Sequence, residues 1–449
     1  MKPHVVIVGG GFGGLSAARS FRGVPARVTL LDRHNYHLFQ PLLYQVATAG
    51  LSPGDIASPI RWILRRESNV QVLLATVDAV DTARCELAVD GGRIGYDYLI
   101  LGTGASHSYF GHDEWEAFAP GLKTLDDALN MRREMLLAFE RAERSSDPAE
   151  RQRLLTFVIV GGGPTGVELA GALAEIAKHT LVDEYRSFQP NAAKIILLEA
   201  SPMILAMYPP DLQEAAEKSL ARLGVDVRKG TPVTAIRPGE VDAGDGTIRA
   251  GTVLWAAGVA ASPLARSLGV PLDRAGRVEV LPDLSIPGHP DVFVIGDLAA
   301  LKQDGAPLPG VAQVAIQQGR HAARNVARLI AEEPTQTFRY RDYGNMATIG
   351  RAAAIADFGR IRLSGWIAWV AWLTLHIMKL VGFRNRLGVL LQWAWAYFTY
   401  QRSVRLITGA PDRPPAPRRP ISESPGASAP WQSQQAPGGS PKSTAPRGS

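Results

Sequence analysis

The chain has 449 residues, a formal net charge of +6 and one cysteine, Cys85. That length admits two or three domains with cores of their own. A single cysteine excludes an intramolecular disulfide and the dithiol chemistry of a disulfide reductase. From the N-terminus, Met1-Lys2-Pro3-His4 runs directly into the apolar strand Val5-Val6-Ile7-Val8, with no signal-peptide core and no transit segment. The core that begins with this strand is therefore expected to stay in the cytoplasm. The turn Gly9-Gly10-Gly11-Phe12-Gly13-Gly14 follows, then a helix at 13–22 and a strand at 27–31 that ends in Asp32. Strand, glycine turn and helix together form a dinucleotide fingerprint, because the backbone must come close to a pyrophosphate on a helix N-terminus. Asp32 lies near the spacing of about 20 residues expected for a ribose-binding carboxylate.

Strand-like runs follow at 70–74, 77–80 and 86–89, and the run from Tyr98 to Leu101 leads into Gly102-Thr103-Gly104. A charged helical stretch spans about 124–153. The strand Phe157-Val158-Ile159-Val160 then opens a second fingerprint, Gly161-Gly162-Gly163-Pro164-Thr165-Gly166. Its helix is expected over 166–179, and its second strand, Lys194–Leu198, ends in Glu199. Glu199 lies farther from its glycine turn than Asp32 does from the first, so 180–193 reads as an insertion. A helix at 211–222, a strand at 225–229 and the run Val253–Gly258 complete this unit. Another buried-strand pattern, Asp291–Ile295, ends in Gly296-Asp297, and a helix follows at about 311–331.

Two fingerprints in full context point to two dinucleotides in contact, and so to electron transfer between them. Asp32 and Glu199 can each accept from both ribose hydroxyls, and Glu199 would repel a 2′-phosphate, favouring NADH over NADPH. Asp297 fits either a flavin ribityl hydroxyl or a plain helix cap. Gly104 and Gly258, at the ends of their runs, complete the expected cofactor-contacting positions. Cys85 reads as structural.

From Asp357 to Asp412 no acidic residue occurs between the two, while five of the nine tryptophans do: Trp366, Trp369, Trp372, Trp393 and Trp395. The uncharged stretches 364–378 and 387–401 are too short for a spanning helix of about 20 residues. Clustered tryptophan with flanking Arg and Lys predicts amphipathic helices lying on an anionic membrane. A dimer interface, or a single span over 364–383, are the alternatives. Residues 409–449 are Pro-, Ser- and Gly-rich and read as a disordered tail. No metal site and no nucleic-acid partner are expected.

Over about residues 4–408 the chain resembles the type II NADH dehydrogenases, the single-subunit, non-proton-pumping NADH:quinone oxidoreductases. The resemblance rests on both glycine motifs, the second continuing through Glu168 to Gly171, and on His37–Tyr44 and Val294–Asp297. More specific are Ala312–Gly319, similar to the family's quinone-side motif, and Gly382–Arg386 with Gln392–Trp395, similar to its membrane anchor. The resemblance implies an α/β fold of two Rossmann-like domains with C-terminal anchoring helices. The implied division is 1–120 and 261–356 for FAD, 121–260 for NADH, 357–408 for the anchor and 409–449 for the tail.

It further implies non-covalent FAD held by Gly9, Gly11, Phe12, Gly13, Gly14, Asp32, Gly296 and Asp297. NADH is implied at Gly161, Gly163, Gly166 and Glu199, with Glu168 near the nicotinamide. Gln317 and Gln318 are implied beside the isoalloxazine, where ubiquinone or menaquinone approaches. A homodimer, peripheral on the cytoplasmic side of the cell inner membrane, completes the expectation. The rival readings are a same-fold reductase using a ferredoxin-type acceptor or oxygen, and a non-catalytic redox-sensing membrane scaffold.

Overall fold

The computed structural model describes residues 1–399 and 404–408; the segment read as a tail, 409–449, lies outside them. His4–Val8 becomes the central strand of a six-stranded sheet. On one side it pairs in parallel with Arg27–Asp32, which pairs with Val70–Leu74. On the other it pairs with Tyr98–Leu101, followed by His289–Val294. The unbroken β-branched run has its reason here, since central strands of a parallel sheet are covered on both faces.

Thr156–Val160 is likewise central in a four-stranded parallel sheet, between Lys194–Leu198 and Thr252–Trp255. In both sheets the chain leaves the central strand to opposite sides, and each glycine turn lies at the C-terminal end of that switch strand, where open α/β sheets bind ligands. Each sheet also carries a three-stranded antiparallel meander: Val77–Asp81, Glu86–Val89 and Gly92–Gly95 in one, Val233–Arg237, Glu240–Ala243 and Gly246–Arg249 in the other. Two short antiparallel strands, Ala105–His107 and Val259–Ala261, join the halves where the chain crosses between them. By contact all described residues fall in one compact unit.

The charged stretch at 124–153 is two helices. Leu125–Arg144 starts in a capping box of Thr124 and Asp127, and Pro148–Leu154 starts at an Asp147 cap with proline at its first position. The helix after the second glycine turn, Pro164–Glu175, ends in a π-turn, Ile176–Thr180, before an irregular connection to Lys194. The extra length before Glu199 is thus added after the helix, and the turn itself is unaltered. Cys85 is not on a strand. It takes the left-handed turn position (φ 54°) between two strands of the first meander.

Beyond the long helix Ala312–Ile330, the antiparallel strands Asn345–Gly350, Ala353–Asp357 and Arg362–Ser364 pack against the helix after the second glycine turn, Pro164–Glu175. Helices Gly365–Lys379 and Phe383–Thr399 follow. The first stops at Lys379, because Leu380 is extended (ψ 137°). Among the described residues no helix is long and apolar enough to cross a membrane, and the single span over 364–383 does not form. Ala368, Trp372, Leu380 and Val389 are buried in the same core as the helix Pro164–Glu175.

Candidate active site

The two glycine turns have the same geometry. Gly9 and Gly161 take φ of 102° and 110°, open to glycine but strained for other residues. A Cβ on Gly14 would lie 1.8 Å from the Gly9 carbonyl oxygen, and one on Gly166 the same distance from that of Gly161. These third glycines let helix and strand close together. At the middle glycines, Gly11 and Gly163, an added Cβ would meet nothing within 4 Å. Open space against bare backbone at a helix N-terminus is the shape a pyrophosphate fills. Phe12 and Gly13 continue the first turn into the helix Phe12–Ser20.

The two strand-end carboxylates also match. Asp32 accepts from the Gly10 amide at 2.5 Å and the His34 amide at 2.7 Å. Glu199 accepts from the Gly162 amide at 2.6 Å and the Ser201 amide at 2.7 Å. Each acid fixes its own turn and keeps lone pairs for ribose hydroxyls. Sequence reasoning gave His37 no role. Its ring lies 2.9 Å from the Gly10 carbonyl through Nδ1, and because a carbonyl only accepts, Nδ1 carries the proton. Burial pushes the His37 pKa down, so the ring is a neutral brace under the first turn.

Gly296, at φ 69°, begins the turn that carries Asp297 beyond the first sheet. Buried Gln318 accepts from the Gly296 amide at 2.7 Å. Gln317 is pinned to the Arg341 backbone, donating at 2.9 Å and accepting at 3.0 Å. Gln318 therefore positions the Asp297 turn, and both glutamines are held by main-chain hydrogen bonds. Gly104 and Gly258 both take left-handed backbone (φ 70° and 72°) beside the crossing strands.

Glu168 lies elsewhere, on the helix Pro164–Glu175. It lines a cavity of about 120 Å³ with Tyr44, Gln45, Thr348, Trp372 and Trp393, while Gln317 and Gln318 are not among the lining residues. The residue is half-buried and borders this cavity. Burial raises its pKa to about 8, against a lowering main-chain hydrogen bond from Thr348. At neutral pH it is a protonated acid. Trp393 Nε1 donates to Gln45 Oε1 at 2.7 Å, tying the last helix to Leu43–Ala47. On the cavity's aromatic side, the His376 ring stacks on Trp372 at 4.2 Å, and burial lowers its pKa to about 4.

Of the cavity residues, Trp372 and Trp393 were expected in the membrane-anchoring helices, and Tyr44, Gln45 and Thr348 had no assigned role in the sequence. The only sequence signal for Tyr44 and Gln45 is that the motif His37–Tyr44 runs up to them.

A sequence profile of the pyridine nucleotide-disulphide oxidoreductase family matches residues 3–319. Ndh of Mycobacterium tuberculosis, a type II NADH:quinone oxidoreductase, is 47% identical over 91% of this chain and 90% of its own length. The type II NADH:quinone oxidoreductase of Staphylococcus saprophyticus is 30% identical over 78% and 88%. The solved structure of NDH2 from Plasmodium falciparum in complex with NADH superposes with a TM-score of 0.83 at 18% identity, covering 91% of this chain and 100% of that one. The sulfide:quinone oxidoreductase of Aquifex aeolicus gives 0.66 at 20%, covering 86% and 92%. Both structural likenesses are of fold.

Proposed function

The chain belongs to the type II NADH:quinone oxidoreductases, within the pyridine nucleotide-disulphide oxidoreductase family, and on that premise we propose that FAD lies on Gly9–Gly14, NADH docks at Gly161–Gly166, and quinone enters the cavity beside Glu168. The carrying observation is that cavity, where a protonated carboxyl meets the aromatic residues of the C-terminal helices. FAD held on Gly9–Gly14 would supply the two-electron redox chemistry between NADH and quinone. The chain's own residues bind, orient and supply a proton. Asp32 and Glu199 hold the two riboses, Gln318 sets the Asp297 turn against the flavin, and Glu168 gives its proton to a quinone oxygen.

Attachment to a membrane surface belongs to the same proposal. Exposed Trp366, Ile367, Met378, Leu391, Trp395 and Phe398 give the terminal helices an outward apolar face, and the segment between Asp357 and Asp412 has no acid to repel anionic lipid. We place the enzyme as a peripheral homodimer on the cytoplasmic side of the inner membrane. Sulfide chemistry finds no support, because the chain has one cysteine.

The test is anaerobic NADH oxidation by the purified flavoprotein, with and without a short-chain quinone. Fast quinone-dependent turnover, much weaker with NADPH, is expected. Flavin reduction that stops after one equivalent of NADH would refute the quinone assignment.

A further inference from the structure

The short helix Ile60–Ile63 and the turn after it divide between two faces. Ile60, Ile63 and Leu64 are buried against the first sheet, while Arg61, Trp62, Arg65 and Arg66 are exposed. A single exposed tryptophan carries no meaning by itself; the meaning lies in its surroundings. The Arg65 guanidinium carbon sits 4.3 Å from the centre of the Trp62 ring, and Nη1 donates to the Trp62 carbonyl at 2.6 Å. Gly382 approaches the same ring so closely that a Cβ there would be 3.7 Å from it. Val381 packs into the core that holds Ile60 and Ile63, and Asn385 donates to the Gly54 carbonyl at 3.2 Å. The turn between the two terminal helices is thus seated on this segment. Trp62 carries their exposed apolar face onto the flavin-binding half.

The charges around the junction have one sign. Arg61, Arg65, Arg66, Lys379, Arg384 and Arg386 are exposed, and among the described residues none has a carboxylate ion-pair partner. The nearby acids are engaged. Glu67 takes a two-pronged contact from Arg22, and Asp55 accepts from the Ser52 amide and from Gln392. Unpaired guanidinium groups beside an indole at an apolar edge match a phospholipid interface, with tryptophan at headgroup level and arginine forks on phosphate.

We propose that Arg61, Trp62, Arg65 and Arg66 form a second lipid-contacting element that takes anionic phospholipid headgroups. It rests on the membrane seating of the terminal helices and extends it to the flavin-binding half. Contact at two separated elements fixes how the molecule tilts on the surface.

The test uses the full chain with Cys85→Ser and Trp62→Cys, labelled at position 62 with an environment-sensitive fluorophore and mixed with phosphatidylglycerol vesicles. Co-sedimentation together with a blue-shifted, brighter emission is expected. Co-sedimentation with unchanged emission overturns this element and leaves the helix anchor standing; no co-sedimentation overturns both. In a second arm, Arg61→Gln/Arg65→Gln/Arg66→Gln is expected to weaken binding to phosphatidylglycerol vesicles by about five-fold per arginine, on the order of a hundred-fold in all. Binding to phosphatidylcholine vesicles and turnover of a water-soluble quinone in detergent are expected to hold. Equal losses on both lipids overturn the headgroup assignment. Unchanged vesicle binding with a lost dimer assigns the patch to a subunit interface and overturns the proposal.

Discussion

Glu168 owes its chemistry to its surroundings: burial raises its pKa from 4.5 to about 8, against the lowering hydrogen bond from Thr348. A carboxyl held protonated at neutral pH can release a proton to a reduced quinone oxygen, and Glu168→Gln keeps the shape without the transferable proton. Quinone-dependent turnover is expected to fall on the order of 10²-fold, while FAD stays bound and NADH reduces it at the normal rate in stopped flow. The sign of the stability effect follows from linkage. Because the folded pKa lies above the unfolded one, the contribution of Glu168 to native stability is largest below about pH 4.5 and declines as pH rises to about 8. Thermal melts at pH 5 and pH 9 check this: the wild type loses stability across that range, and Glu168→Gln loses less. Equal losses would mean that Glu168 ionises in the folded protein as it does in water.

Among the elements, the strand–turn–helix units were legible in the sequence because their determinants are local. Gly9, Gly11 and Gly14 each meet a separate backbone demand within one turn, and Asp32 and Glu199 end the strands that place them beside it. The cavity was not legible, because it forms only where five segments pack: 44–50, 168–180, 348–351, 369–373 and 393–397. The same limit hid the pinning of Gln317 and Gln318, whose partners Arg341 and Gly296 lie 24 and 22 residues away. Gly171 shows how closely these segments fit. A Cβ on it would lie 1.5 Å from the Ile349 carbonyl oxygen, so Gly171→Ala must push Pro164–Glu175 away from Asn345–Gly350. A loss of about 1–3 kcal/mol in stability is expected, together with a raised KM for quinone, because Glu168 and Thr348 border the cavity from those two elements. Gly11→Ala is the control: its Cβ enters open space, so the protein should fold normally and bind FAD poorly. Calorimetry and flavin content after purification separate the two outcomes.

At the scale of the molecule, the terminal helices do two jobs with opposite faces. The inner face is core: Ala368, Trp372, Leu380 and Val389 are at most 2% exposed. Cutting the chain at 357 would therefore expose that core and confuse detachment with unfolding. The outer face is separable, since Leu391, Trp395 and Phe398 are 61%, 61% and 79% exposed. Replacing all three with serine removes apolar area that the fold does not bury, so thermal stability should stay within about 1.5 kcal/mol of wild type, about 0.5 per substitution. Membrane partitioning should fall by orders of magnitude, because a large apolar side chain gains about 1.5–3 kcal/mol when buried. If quinone enters by the proposed cavity, a water-soluble quinone needs no bilayer to reach it, whereas a long-chain quinone is met only in the bilayer. The triple variant should therefore keep short-chain turnover and lose long-chain turnover in vesicles. Loss of both would place the three side chains in the path of the quinone itself, and loss of neither would show that this face does not bind the membrane.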